Sequence, residues 1–240
     1  TESSWHGTRV SGVAAALGNN SRGVAGVSWN ARVLPVRVLG KCGGYDSDVL
    51  AGMRWAGGLP VEGAPQNPNP ARIINLSLGS LGACTQAYRD TIAALNAAGV
   101  IVVTAAGNAG STVETPGNCP GVISVAGLRH IGTKVGYSSH GPEVTVSAPA
   151  GNCGDDTDNP ACVYQIATTT NLGTTVPGAN GYSDPFNATY GTSFSTPQVS
   201  GTVALMLAVH PQRGADAVSE RLQATARAFP VVVNVPVCPL

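Results

Sequence analysis

Val100-Ile101-Val102-Val103-Thr104 is an almost wholly apolar run of strand length. A strand without polar alternation has both faces covered, as in the parallel sheets of α/β proteins. An amphipathic helical segment, Thr85 to Ala98, precedes it and ends at Gly99. The same order recurs along the chain. Val33 to Leu39 is β-branched and reads as a strand, followed by a helix from Ser47 to Trp55 with Ser47 as its candidate N-cap. Arg72 to Gly79, Val122 to Ala126 and Val144 to Ala148 read as further strands. Helices are expected over Trp5 to Leu17, stopping at Gly18, over the apolar run that starts near Val199 and ends near His210-Pro211, and over Gly214 to Ala228. Pro60 to Pro70 is a surface insertion, and 152–187 reads as loop. Alternating strands and helices predict a doubly wound, mostly parallel α/β sheet with helices on both faces and right-handed crossovers. The 240 residues suit one such domain.

Composition removes several classes of function. Thirteen basic residues balance thirteen acidic ones with no basic block, so nucleic acid is not an expected partner. No apolar run approaches the roughly 18 residues of a membrane span, so no membrane partner is expected either. The six cysteines contain no Cys-x-x-Cys pair, which points to an oxidised, secreted protein rather than a zinc site. Of the 15 connectivities that six cysteines allow, Cys153–Cys162 is the first choice because the pair brackets an acidic loop. Cys42–Cys84 is the second, and Cys119–Cys238 follows by elimination, unless Cys238 pairs beyond the chain.

Four stretches carry chemistry. Gly191-Thr192-Ser193 sets a serine between a tight turn and a helix start, where backbone N–H groups and the helix dipole face any forming oxyanion. Alone, it reads more readily as a capping Ser-Thr pair at an ordinary buried helix. His6-Gly7-Thr8 opens a helix, where the dipole disfavours imidazolium and leaves a proton acceptor. Alone, His6 reads as a surface histidine near a chain end. Asn108, after Ala105-Ala106-Gly107, stands at the carboxyl end of the buried strand, where ligands collect in open α/β sheets. In the loop 18–24, the carbonyls of Gly18, Arg22 and Val24 with the Asn20 amide are a candidate calcium site, with a plain turn as the alternative.

In this order, His6-Gly7-Thr8, Ala105-Ala106-Gly107-Asn108 and Gly191-Thr192-Ser193 resemble the subtilisin-like serine proteases, the subtilases; Val38-Leu39-Gly40 and Ser77-Leu78-Gly79 fit the same family. Cys42-Gly43-Gly44 and the cysteine pattern resemble secreted members from Gram-negative bacteria. The resemblance implies a secreted endopeptidase made as a zymogen, acting on polypeptides without a catalytic cofactor. It implies Ser193 as nucleophile, His6 as general base and acid, and the Asn108 amide with the Ser193 N–H as oxyanion hole. Gly43-Gly44-Tyr45 and Ser77-Leu78-Gly79 would flank an extended substrate, and Ala105-Ala106-Gly107 would wall the primary specificity pocket. These small, uncharged residues imply a roomy pocket for apolar or long side chains, whereas Glu114, if it reaches that pocket, favours a basic one.

The family's third catalytic member, an aspartate ending a strand upstream of the histidine, has no counterpart among the five residues before His6. The resemblance therefore implies a chain incomplete at its N-terminus, with the aspartate strand on a separate or missing fragment. Arg9 stands where the family has a second histidine, and Phe194 where it has methionine. A rival reading is a non-catalytic pseudoprotease that keeps the peptide groove.

Overall fold

The computed structural model describes residues 3–153, 164–184 and 189–230. Four strands form a parallel sheet in the order β1 (Ile73–Leu76), β2 (Ile101–Ala105), β3 (Ile123–Leu128), β4 (Val146–Pro149). Its helices are α1 (His6–Ala15), α2 (Asp46–Ala56), α3 (Gln86–Ala97), α4 (Thr192–Val209) and α5 (Ala215–Thr225).

The apolar run works as expected, because side chains alternate across a strand. Val102 enters a core with residues of α2 and α3, including Met53, Tyr88, Ile92 and Leu95. Its neighbours Ile101 and Val103 enter a second core with Val199, Val203 and Leu207 of α4 and Val218 of α5. Helices therefore cover both faces of the sheet, and β2 is buried along its whole length.

Several details differ from expectation. Residues 33–39 form no strand. Val36 and Val38 pack against the first core, but Val33 and Leu39 are exposed. Among the described residues no strand pairs with this segment or with the outer edge of β1. β-propensity alone cannot make a strand without a ladder partner. The first helix ends at Ala15 without a glycine cap, and α2 begins at Asp46, capped at Tyr45 rather than Ser47. The stretch expected to be loop holds an antiparallel pair, β5 (Thr169–Asn171) and β6 (Asn180–Tyr182).

A disulfide joins Cys84 to Cys119, which overturns both Cys42–Cys84 and Cys119–Cys238. Ser80 and Thr115 exchange two backbone hydrogen bonds of 2.9 Å, so the loops after β1 and before β3 run side by side. That brings the two Cα atoms within 5.1 Å, while Cys42 is exposed and free. Cys153 is disulfide-bonded, but Cys162 lies outside the described residues, as does Cys238.

Candidate active site

The helix bearing His6 is held by the hairpin that sequence reasoning missed. Thr168 Oγ1 donates to Arg9 O at 2.6 Å, Thr169 Oγ1 to Thr8 O at 2.9 Å, and Arg9 Nε to Thr170 Oγ1 at 3.1 Å. A side chain at Gly12 would strike the Thr168 and Thr169 hydroxyls, so glycine permits this approach. Trp5 enters the helix in the left-handed region, φ 51°, with its indole N–H bonded to Gly173 O. His6 is the first helical residue, and its ring lies edge-on to Phe194, 5.5 Å between centroids. Burial lowers its pKa below the ordinary value, and the Arg9 charge lowers it further. The imidazole is thus neutral near pH 7 and able to accept a proton. No carboxylate bonds to it among the described residues.

The turn before α4 is fixed from three sides. Gly191, at φ 127°, needs glycine. Its N–H points at Ala150 O, 2.8 Å, and at Tyr137 Oη, 3.0 Å. The Tyr137 hydroxyl in turn lies 2.6 Å from Gly151 O and 2.9 Å from Ala150 O. Burial raises the pKa of this phenol, so it remains protonated and donates. Further on, Pro197 sits inside α4 without an N–H, which leaves the Ser193 carbonyl without its normal helical donor. Ser77 Oγ fills that role at 2.7 Å. It accepts from Asn75 Nδ2 at 2.9 Å, and Asn75 Oδ1 accepts from Ser200 Oγ at 2.8 Å. The hydroxyl of Ser193, half-buried, donates to Ser77 O over a long 3.3 Å.

Asn108 is oriented by the same turn. Its Oδ1 accepts from Thr192 N at 2.8 Å and lies 3.0 Å from Thr192 Oγ1. Nδ2 makes no hydrogen bond among the described residues, so the donor end of the amide is free. Thr192 Oγ1 also accepts from Gly107 N at 3.3 Å, which joins the end of β2 to the start of α4.

The structure therefore gathers His6, Asn108, Ser193, Ser77 and Gly107 around residues 191–194. Leu78 and Gly79 continue from Ser77, while Ala105 and Ala106 are buried, the latter beside Val113 and Ala126. Gly43-Gly44-Tyr45 leaves the turn over 40–43 that Gly40 N closes on Gly43 O, 2.7 Å, and no hydrogen bond joins it to the site among the described residues. Tyr137, Asn75 and Ser200 are not singled out by the sequence, and the bonds of Thr192 to Asn108 and Gly107 are not legible in it. Their only sequence signal is a polar residue near a glycine turn or within an apolar helix, which is too common to single them out.

In the loop 18–24, Asn20 Oδ1 accepts from Arg22 N at 3.0 Å. Among the described residues no group of three His, Cys, Asp or Glu side chains could hold a metal. The Asn20 amide oxygen, which keeps a second lone pair, and the carbonyls of Gly18, Arg22 and Val24 make four of the six to eight oxygens calcium takes, so the rest would come from water or from outside the loop.

A hydroxyl, a neutral imidazole and a free amide donor at the carboxyl end of a parallel sheet are the parts of a serine hydrolase. The model for the subtilase family, peptidase S8, matches residues 1–235, and the chain belongs to this family of subtilisin-type serine peptidases. It is 44% identical over 231 residues to an extracellular protease of Xanthomonas campestris pv. campestris, covering 95% of this chain and 37% of the relative. It is 39% identical over 207 residues to an extracellular basic protease of Dichelobacter nodosus, covering 85% of this chain and 32% of the relative. The chain thus spans about a third of the length of these two curated relatives. A solved protease of Pseudoalteromonas arctica superposes with a TM-score of 0.89 at 40% identity, over 96% of this chain and 66% of that one.

Proposed function

We propose that the chain is the peptidase domain of a secreted serine endopeptidase, cleaving polypeptides through an acyl-enzyme on Ser193. His6 takes the hydroxyl proton and returns it to the leaving amine. Asn108 Nδ2 and the Ser193 N–H bind the oxyanion. The observation that carries this reading is the Asn108 amide, pinned by its oxygen to Thr192 with its donor end free beside the serine turn. Extracellular relatives and the Cys84–Cys119 disulfide support secretion. Among the described residues no helix is long and apolar enough to cross a membrane.

His6 still needs a carboxylate to orient it, and an additional N-terminal segment would supply an aspartate. Its strand would fit between residues 33–39 and the unpaired edge of β1, giving both a ladder partner. Structural calcium is general among subtilases; at 18–24 the Asn20 amide oxygen keeps a second lone pair for it beside the Arg22 N–H, and further oxygens would come from elsewhere.

A phosphonylating serine reagent is expected to modify the peptide containing Ser193, with parallel loss of casein hydrolysis, read by mass spectrometry. An active, unlabelled enzyme excludes the mechanism. Protein that binds peptide but neither reacts nor cleaves supports the non-catalytic alternative, in which the Ser193 hydroxyl stays bonded to Ser77 O.

Tyr137 acts in this reading as a positioning residue for the nucleophile turn. Tyr137→Phe removes one hydroxyl that bridges Gly191 to Gly151, and kcat is expected to fall about two- to tenfold, the range of one hydrogen bond. KM should stay within error on the same peptide substrate. A rise in KM alone would assign Tyr137 to the groove instead.

A further inference from the structure

We infer that Glu114 gives the primary specificity pocket a preference for a basic side chain, so that the enzyme cleaves after lysine or arginine. The inference rests on the peptidase reading above and names its substrate class.

Glu114 is sewn between the two expected pocket walls. Its N–H donates to Ala106 O at 2.9 Å, on the Ala105-Ala106-Gly107 side. The next residue, Thr115, exchanges two backbone bonds with Ser80, just beyond Ser77-Leu78-Gly79. The side chain then turns into the space between. Glu114 Oε1 accepts from Asn108 N at 2.9 Å. A Cβ on Gly107 would lie 2.3 Å from the Glu114 carboxyl carbon, and one on Gly79 would lie 3.1 Å from Oε2. Glycine in both walls is what leaves room for the carboxylate, and Gly107 also requires it at φ 109°.

The carboxylate is therefore held rather than swinging, with one oxygen tied to a backbone amide and the other accepting no hydrogen bond among the described residues. No lysine or arginine pairs with it among those residues. A half-buried carboxylate without a counter-charge gains when a cation arrives. Its place relative to the serine suits a substrate side chain. Ser77 bonds Ser193 directly, and Gly79 stands two residues further on, at most about 7 Å along the backbone. The four-carbon stem of lysine, or arginine, covers that span along uncharged walls with its charge at the far end.

The test compares kcat/KM on four peptide p-nitroanilides, identical except for lysine, arginine, norleucine or glutamate before the scissile bond, using the enzyme as its host produces it. Lysine and arginine are expected to exceed norleucine by about tenfold or more, as for a hydrogen bond to a charged group. Added salt should narrow the gap. Glu114→Gln keeps an oxygen for Asn108 N and should bring lysine and norleucine within about twofold of each other while norleucine turnover persists. Equal cleavage after lysine and norleucine by the unaltered enzyme, or an unchanged ratio in Glu114→Gln, overturns the inference. If the glutamine variant fails to fold, the ratio in the unaltered enzyme decides alone. No hydrolysis of any of the four, with casein also intact, overturns the peptidase reading instead.

Discussion

Ser193→Ala is expected to lower kcat about a millionfold, the size known for this change in subtilisin itself rather than one derived from this chain. In the proposed mechanism this hydroxyl forms the acyl bond, whereas the neighbouring Thr192 and Ser195 hydroxyls are buried and hydrogen-bonded to protein oxygens. His6, whose ring lies against Phe194, is kept neutral by burial and by the Arg9 charge, and is the base in the proposed mechanism. The fold should survive the change. What anchors Ser193 is its carbonyl, bonded to Ser77 Oγ, while its own hydroxyl makes only the 3.3 Å contact with Ser77 O. Alanine is also the better helix former at this second position of α4. Thermal unfolding should therefore shift little while the phosphonylating reagent no longer reacts. Turnover within a hundredfold of the unaltered enzyme would mean that another group attacks the substrate.

Asn108→Ala is expected to lower kcat about 10²–10³-fold with KM little changed, again the range known for the oxyanion asparagine of subtilisin. The amide donor is useful only where charge develops, so its loss appears in kcat. Alanine also removes the acceptor for Thr192 N and Oγ1, which would loosen the turn. Asn108→Asp separates the two effects, because a carboxylate still accepts from Thr192 but cannot donate to an oxyanion. Steady-state kinetics on both variants should show a similar loss. If Asn108→Asp retains near-full kcat, the residue serves only to brace the turn.

Much of the architecture could be read locally. The run 100–104 announced a strand buried on both faces, and Thr85 caps α3 through its own side chain. Residues 33–39 have the same β-branched character and still form no strand, because pairing depends on a neighbour rather than on the segment. The cysteine pairing failed for a similar reason. Cys84 and Cys119 meet because Ser80 and Thr115 pair, and nothing in their spacing of 35 residues indicates it.

For the site, the sequence by itself determined where the candidate groups sit locally: His6 at a helix start, Asn108 after a buried strand, Ser193 behind a glycine. Those features follow from backbone rules that act over a few residues. Only the tertiary structure decided which way the Asn108 amide faces, that Ser77 replaces the donor Pro197 lacks, and that Glu114 lies between Gly79 and Gly107. Ser77 and Ser193 are 116 residues apart, and Asn75 and Ser200 are 125. They are chosen by how the sheet and helices pack, which no local pattern encodes.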